Sequence, residues 1–370
     1  MKSTNNIIQR IAFILLTVSI LFFSCVEEKN DIIREGNPKI EKLGENLTQL
    51  KELRDNSRYG TVKGQYPEES KQILDDAMAV IGRLIMKMND GINVSDSEIE
   101  EATSRVVTAI ENFKSTIRTE TQLFPAELYV NGKEGGYIDF GTSPAFSRFG
   151  TDGNQSFTVE LWVKLSTTSG FGTIVSTYLE DGDEPRYRKG WMINHFNNDY
   201  MRISYGLNDY NLWEPGDGFR DLNKWRHVAA VYSDAGVDGS KEGNNPVVIK
   251  YYIDGELKKT QINNNPGSVY YNAADDKGKA MTAFIQFNKN GNQDRQAEGY
   301  IKDFHIWKTA KSGDEIKRLM NKEILVTGQE EDLVCGWDFN STVEDEQSIK
   351  DLTGKYSAAV KGKHEWIMLE

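Results

Sequence analysis

Three polar segments between residues 178 and 271 place aromatic side chains among carboxylates and amides. Sugar binding needs this combination, because a flat ring covers the apolar side of a pyranose while carboxylates and amides hydrogen-bond its hydroxyls. The candidate ligand-binding residues are Tyr178, Asp181, Asp183 and Tyr187 in the first segment, Tyr210, Asn211, Trp213 and Asp217 in the second, and Tyr270 and Tyr271 in the third. Trp213 is the strongest candidate, because it lies between polar turn residues rather than in an apolar run. The alternative for each aromatic residue is that its ring closes an end of the fold.

The first of these segments is also rich in acidic residues, which could bind calcium instead. Glu180, Asp181, Asp183 and Glu184 stand close together, and their hard oxygen ligands are the kind that Ca²⁺ prefers. The sequence contains no complete calcium-binding loop, and a solvated loop has the same composition. Calcium is therefore an open alternative, and no residue is assigned as a metal ligand.

The sequence gives little support for catalytic, zinc-binding or cofactor-binding chemistry. His227 and His305 lie within apparent strands and His195 ends one, which favours structural roles for all three. The two cysteines, Cys25 and Cys335, cannot form a disulfide scaffold, and they make no zinc-binding pattern with the histidines. The sequence has no nucleophile elbow and no glycine-rich loop before a helix. We therefore expect no cofactor.

Length and charge limit the kinds of protein that this chain can be. Its 370 residues correspond to roughly two or three domains, at about 100–200 residues for each. The 44 Lys and Arg against 56 Asp and Glu side chains give a net charge of −12, whereas binding to a nucleic acid backbone needs the opposite sign. We therefore expect no nucleic acid partner.

The first 24 residues have the features of a signal peptide. An apolar run covers residues 11–23 and follows Lys2 and Arg10, the only charges before it. This run is shorter than the roughly 18–20 residues that a membrane-spanning helix needs. Its end, FFSC, resembles the bacterial lipobox, in which the peptide is cut before the cysteine and the thiol is lipidated. The resemblance implies cleavage after residue 24 and a palmitate-type lipid on Cys25.

The residues behind Cys25 indicate where the mature protein is anchored. The sequence VEEKND places acids at the second and third positions after the cysteine. This resembles the signal that sends lipoproteins of Bacteroides-type bacteria to the cell exterior. We therefore expect a lipid anchor in the outer membrane that faces outward, with residues 25–36 forming the lipidated cysteine and a linker.

Residues 37–122 have the pattern of a helical module. Leucines and other apolar residues recur at helical spacing in three stretches. Pro67 suits the start of the second helix, and Ser95 with Glu98 forms a capping box for the third. The stretches YPEESKQILDDAMAVI and EIEEATSRVVTAIENF resemble the FIVAR-type modules of bacterial surface proteins. The resemblance implies a three-helix bundle that serves as a spacer.

From residue 125 to residue 370 the apolar period changes to two, which is typical of an antiparallel sandwich. In SFTVELWVKL, Phe157 and the alternate residues after it should face the core, while Thr158, Glu160 and Trp162 face away. Asp254 and Gly255 stand between two apparent strands and predict a tight hairpin turn. The chain is therefore expected to be a helical bundle followed by an antiparallel β-sandwich.

Four segments occur in an order that matches one family. FTVELWVKL, WRHVAAVY, YYIDGEL and GYIKDFHIWKTAKSGDEI together resemble the laminin G-like, concanavalin A-like jelly rolls of bacterial surface lectins and adhesins. The resemblance implies a jelly roll with a short helix near 313–320. CGWDFN and IKDLTGKYSAAV resemble segments that precede this framework in the family, but here they follow it. We expect them to supply closing C-terminal strands of the same domain.

The concanavalin A-like fold also houses glucanases, whose catalytic strand carries a glutamate, an aspartate two residues later and a glutamate three residues after that. The nearest match is Glu330 and Asp332, but Cys335 stands where the second glutamate belongs. The motif is incomplete, so we expect a non-catalytic protein, with an enzyme as the alternative.

The sequence therefore predicts a non-catalytic surface lipoprotein that captures or adheres to a polysaccharide or other glycan through the loops of its sandwich. The alternatives are a glycoside hydrolase or lyase on the same fold, and an adhesion module that binds a protein partner at the cell surface.

Overall fold

The computed structural model describes residues 36–369, except 181–187, 197–199, 208–211, 214–215, 219–220, 265–269, 275–279 and 343–347. The chain divides into two compact units, Met1–Gln122 and Leu123–Glu370. The predicted signal peptide and Cys25 lie outside the described residues. Within the described part, no helix combines the length and the apolar character that crossing a membrane requires.

The first unit is a three-helix bundle made of α1 (Pro38–Asn56), α2 (Lys71–Asn89) and α3 (Asp96–Ser115). Its core is formed by the apolar stripe of each helix, including Leu43, Leu74, Ile81, Val106 and Phe113. Asn37 caps α1, since its side chain accepts a hydrogen bond from the backbone N–H of Lys39 at 3.0 Å. The fold thus agrees with the three stripes in the sequence.

Capping determines where the second and third helices begin. The predicted capping box is confirmed: the Ser95 side chain accepts from the Glu98 N–H, and the Glu98 carboxylate accepts from the Ser95 N–H. Pro67 is followed by a 3-10 turn, Glu68–Ser70, before α2 begins. The proline therefore starts this turn rather than the helix itself.

Among its described residues, the second unit contains many short strands and one α-helix, α4 (Gly313–Met320). The strands are β1 (Phe124–Asn131), β2 (Tyr137–Asp139), β3 (Ser156–Leu165), β4 (Phe171–Ser176), β5 (Leu179–Glu180), β6 (Arg188–Lys189), β7 (Trp191–Phe196), β8 (Tyr200–Gly206), β9 (Leu212–Trp213), β10 (Gly216–Gly218), β11 (Arg226–Ser233), β12 (Lys241–Glu242), β13 (Asn245–Ile253), β14 (Glu256–Ile262), β15 (Thr282–Ala283), β16 (Gln286–Phe287), β17 (Gln293–Asp294), β18 (Glu298–Trp307), β19 (Leu333–Trp337), β20 (Ser341–Thr342), β21 (Ile349–Lys350), β22 (Ser357–Lys361) and β23 (His364–Met368). The predicted helix near 313–320 is present, and Ser312 with Glu315 forms its capping box.

Most of these strands form two antiparallel sheets that pack as a sandwich, while β5 with β6 and β16 with β17 form two separate two-stranded sheets. The larger sheet has the order β12-β13-β11-β3-β18-β1-β20, with β14, β19 and β23 paired to β13, β18 and β1. The smaller sheet has the order β10-β8-β7-β4-β15-β2-β22-β21, with β9 paired to β8. The strands after α4 therefore belong to the same two sheets as the rest of the unit.

The core between the sheets follows the period of two. In β3 the side chains of Phe157, Val159, Leu161, Val163 and Leu165 are buried, and each contributes about 1.5–3 kcal/mol relative to an exposed position. The hairpin between β13 and β14 turns at Asp254 and Gly255, with φ of 51° and 72°. Both features agree with the sequence pattern.

One face of β3 differs from the expectation. Thr158 and Glu160 point away from the core between the sheets, yet both are buried. The segment before α4 covers this side of the sheet: the Thr158 hydroxyl donates to Thr309 O at 2.8 Å and accepts from the Lys311 N–H at 2.9 Å. We call this side of the larger sheet the outer face. It is partly covered rather than fully solvated.

Candidate functional site

Two of the predicted ligand-binding tyrosines lie in the interior. Tyr178 and Tyr271 are each 1% exposed. The Tyr178 hydroxyl donates to Glu180 Oε1 at 3.2 Å, and the Tyr271 ring packs against Phe157 with the centroids 5.0 Å apart. Their rings therefore cannot stack on a sugar: Tyr178 lies in the short link between β4 and β5, and the backbone of Tyr271 pairs with Leu207. This corrects the expectation that they stand on the surface.

The remaining predicted residues divide between the described and the undescribed parts of the chain. Tyr270 is half-buried. The backbone of Trp213 pairs with Tyr205 and that of Asp217 with Met201, which places both on strands beside β8 in the smaller sheet. Asp181, Asp183, Tyr187, Tyr210 and Asn211 lie outside the described residues, so their predicted roles stay predictions.

A cleft of about 300 Å³ opens where the β5–β6 hairpin meets the β16–β17 hairpin. We call it the polar cleft, because every side chain that lines it is charged or carries an amide. Its lining residues are Glu180, Gln286, Asn288, Lys289, Asn290, Asp294 and Arg295. Glu180 lies within the first predicted segment, so the polar cleft includes a residue of a region where the sequence predicts sugar binding.

Arg295 joins the two hairpins at the centre of the polar cleft. Its Nη2 donates to Glu180 Oε2 at 3.0 Å and its Nη1 to Gln286 Oε1 at 3.4 Å. The guanidinium also lies 4.5 Å from the centroid of the Phe171 ring. The side chain is 16% exposed, so a fixed cation with several donors stands at the floor of the cleft.

The turn between β16 and β17 supplies the amide groups of the cleft. Asn288 Oδ1 accepts from the backbone N–H groups of Asn290 and Asn292 at 3.0 and 3.1 Å. The Asn288 N–H donates in turn to Asn292 O at 2.9 Å. This network fixes the turn and with it the amide and ammonium groups of residues 288–290 at the rim.

The polar cleft can make hydrogen bonds of both kinds with a polyhydroxylated ligand. Carboxylates accept from hydroxyls, the guanidinium and ammonium donate to them, and each amide does both. Burial and the nearby charge of Glu180 raise the pKa of Tyr178, so the phenol stays neutral and donates to that carboxylate. In the part of the chain that the structure describes, no three His, Cys, Asp or Glu side chains are placed to hold a metal ion.

Sequence reasoning missed Arg295, Gln286 and the amides of the turn. Glu180 and Arg295 are 115 positions apart, and no local pattern joins them. The signal that was available is the stretch FNKNGNQDR, in which a glycine-containing turn stands among polar residues.

Two antiparallel sheets in this order, with a short helix after the last framework strand, define a lectin-like β-sandwich. The chain belongs to the concanavalin A-like lectin/glucanases superfamily, whose model matches residues 132–317. Residues 38–117 match a domain of unknown function, DUF4972. The FIVAR-type resemblance of this region stays a prediction. No curated protein matches the chain.

Several solved structures are similar to the chain. One is a protein from Bacteroides ovatus that is named as a candidate carbohydrate-binding protein, with 16% identity, a TM-score of 0.46 and coverage of 68% of this chain. The chain spans 62% of that protein. Another is the SAP-like pentraxin of Limulus polyphemus, at 12% identity and TM-score 0.41, with 66% of this chain and 95% of that chain covered. A third is the carbohydrate-binding module of a Ruminococcus gnavus sialidase, at 12% identity and TM-score 0.33, with 45% and 83% covered.

Proposed function

We propose that the β-sandwich binds a glycan in the polar cleft and that the protein is a non-catalytic lipoprotein of the bacterial surface. The observation that carries the proposal is the position of Arg295, which holds Glu180 and Gln286 from two different hairpins in one cleft. Membership of a superfamily that includes lectins and glucanases supports the same class of ligand.

The contacts within the polar cleft favour binding without a large ordering cost. The Arg295–Glu180 ion pair and the hydrogen-bonded turn at Asn288 hold these groups in place before a ligand arrives. A site whose side chains are already ordered loses less entropy on binding. Half-buried Phe171 lies beside the guanidinium and helps to hold it in place through a cation–π contact.

The residues nearest to a glucanase motif support the non-catalytic part of the proposal. Glu330 accepts hydrogen bonds from the backbone N–H groups of Thr327 and Gly328 at 2.7 and 2.9 Å. Asp332 pairs with Lys311 Nζ at 2.7 Å, and Cys335 is fully buried. These side chains hold a turn, anchor the segment before α4 and fill the core, and none of them lines the polar cleft.

Anchoring rests on the sequence around Cys25. A lipid on this cysteine would hold the chain at the outer membrane, and the acids behind it would direct it outward. The three helices of 19 or 20 residues, each about 30 Å long at 1.5 Å per residue, would then serve as the spacer.

The test is a glycan-array and polysaccharide-gel screen of residues 26–370, with and without calcium, together with an assay for released sugars. We expect binding without product release. Glu180→Gln and Arg295→Lys should weaken it by about tenfold or more, equal to about 1.4 kcal/mol. Glu256→Gln, which changes an exposed ion pair on β14, is the matched control and should bind like the wild type.

Trp213→Ala belongs in the same screen, because the sequence favours Trp213 as the ligand contact. Loss of binding in this variant would extend the site to β9. The absence of binding to every glycan tested, or wild-type binding by both polar cleft variants, would overturn the proposed site. The absence of glycan binding would also favour a protein partner, and release of sugar products would favour the hydrolase.

A further inference from the structure

A second cavity lies on the outer face of the larger sheet, between β3, β18, the residues after β19 and the segment that follows α4. Its volume is about 160 Å³, and we call it the outer pocket. Its polar wall is formed by Trp162, Asp303, His305, Lys322, Asp338 and Asn340, and its opposite wall by aliphatic side chains between residues 319 and 326. It shares no residue with the polar cleft.

An irregularity in β18 builds the polar wall. The register of β18 on β3 shifts between Lys302 and His305, and Asp303 has a positive φ of 46°. Asp303 N–H donates to Asp338 O at 2.8 Å, and Asn340 Nδ2 donates to Asp303 Oδ1 at 2.7 Å. A bulge of this kind redirects side chains and is a recurrent feature next to functional sites.

His305 lines the outer pocket and has a buried nitrogen whose bonding is incomplete. The residue is 5% exposed, and its Nδ1 donates to Glu160 Oε1 at 2.6 Å. Nε2 is buried and has no hydrogen-bond partner among the described residues. Buried polar groups in proteins are nearly always paired, so a ligand hydroxyl, which can both donate and accept, would complete the bonding of this nitrogen.

The charges of the outer pocket select against an anion. The Asp303 N–H donates to Asp338 O at 2.8 Å, so the two residues are close neighbours, and burial together with the charge of Asp303 raises the pKa of Asp338. Lys322 Nζ lies 3.2 Å from Asp303 Oδ2 and offsets one of these charges. The carboxylate of Glu160 is already bonded to His227 Nε2 at 2.6 Å as well as to His305. The carboxyl groups of Glu160, Asp303 and Asp338 thus line the pocket beside the ammonium of Lys322 and the imidazole of His305, and a ligand with hydroxyl groups suits this mixed lining because each hydroxyl donates and accepts.

Shape and the indole of Trp162 specify the ligand further. An engineered cavity of about 150 Å³ holds one benzene ring, so the outer pocket has room for one six-membered ring. The Trp162 ring is half-buried and stands edge-on to the imidazole of His227, with centroids 5.4 Å apart. An aromatic wall facing hydrogen-bonding groups suits a pyranose. We propose that the outer pocket binds a single neutral sugar residue, as a second site that is independent of the polar cleft.

The test is a titration of residues 26–370 with neutral monosaccharides such as glucose, galactose, mannose and fucose, followed by ligand-observed NMR. Glucuronic acid is the anionic comparison. We expect weak binding of at least one neutral sugar and at least tenfold weaker binding of the acid. The ¹⁵N resonance of His305 Nε2 should shift when the sugar binds.

Two variants locate the site, and one controls for the other site. Asp338→Asn should weaken binding about tenfold. Leu325→Trp should block the pocket without disturbing the fold, because Leu325 lines the mouth and is 69% exposed. Glu180→Gln, which alters only the polar cleft, should bind the monosaccharide like the wild type.

Three results would overturn the proposal that the outer pocket binds a sugar. These are the absence of binding by any neutral monosaccharide, wild-type binding by Leu325→Trp, and loss of binding in Glu180→Gln alone. The last result would transfer the ligand to the polar cleft and support the proposed function there. Wild-type glycan binding by the polar cleft variants would contradict the polar cleft proposal but would not affect the titration of the outer pocket. The two proposals can therefore fail separately.

Discussion

Glu160 is a carboxylate in the middle of a central strand, and its side chain is almost fully buried. Two imidazoles bind its oxygens at 2.6 Å each, from His227 on β11 and His305 on β18. A carboxylate only accepts, so both nitrogens that face it carry a proton. Burial alone would raise the pKa of Glu160, but the charge of His305 and the two hydrogen bonds lower it well below its usual range. One residue thus ties three neighbouring strands together on the outer face.

We expect Glu160→Gln to destabilise the sandwich by about 3–5 kcal/mol, because removing one partner of a buried ion pair leaves the other charge uncompensated. The free energy of unfolding in urea measures the loss. Glu256→Gln is the control: its carboxylate is 71% exposed, and an exposed pair of this kind contributes little to stability. Equal stability of the two variants would contradict this role for Glu160.

The same pair predicts how stability depends on pH. The pKa of His305 is raised, so its contribution is complete below its ordinary value of 6.5 and is lost as the pH rises through the raised value. The pKa of Glu160 is lowered, so its contribution is present above its ordinary value of 4.5 and is lost only as the pH falls through the lowered value. Asp303 and Asp338 face His305 and act in the same direction as Glu160.

The stability difference between the wild type and Glu160→Gln should therefore be largest between about pH 4.5 and 6.5. It should shrink at higher pH, once His305 loses its proton. Urea unfolding of both proteins across this range measures the difference. A difference that grows steadily with pH would show that His305 is neutral in the folded protein.

At the scale of elements, short sequence patterns correctly predict the features that depend only on neighbouring residues. The alternation in β3, the capping boxes at Ser95 and Ser312 and the hairpin at Asp254 all form as expected, because each depends on neighbours a few residues away. The alternation in β3 predicts that the Glu160 side chain points away from the core between the sheets. It does not predict that another segment covers this side chain. The polar cleft joins residues 180 and 295, and only the order of strands in the sheets brings them together.

Helix capping gives a prediction at this scale. Ser95→Ala removes the acceptor for the Glu98 N–H at the start of α3 and should cost about 1 kcal/mol. Hydrogen exchange of the amides in the first turn of α3 should become correspondingly faster. Ser104→Ala, at an exposed position inside the same helix, is the matched control. It should not weaken the helix, since Ala has the higher helix propensity. Similar exchange in both variants would contradict the capping role.

At the scale of the molecule, the two largest hydrophobic cores of the described residues lie in different units. One consists of the stripes of α1, α2 and α3, and the other lies between the two sheets. A unit with its own core can fold alone. We expect residues 123–370 expressed by themselves to unfold cooperatively and to bind the same glycans as residues 26–370. Aggregation of this fragment, or loss of glycan binding in a folded fragment, would show that the sandwich depends on the helical unit.

The proposed anchor is tested in cells of a Bacteroides-type host. Cys25→Ser should abolish labelling with a palmitate analogue and release the protein from the outer membrane. Replacing Glu27 and Glu28 by alanine should keep the lipid but turn the protein inward, because the acidic residues after the cysteine resemble the export signal. Protease treatment of intact cells distinguishes these outcomes, since only an outward-facing chain is digested. Glu41→Ala with Glu45→Ala changes two exposed acids of α1 and should leave the protein accessible. Digestion of the Glu27 and Glu28 variant at the wild-type rate would show that these two acids do not determine the orientation.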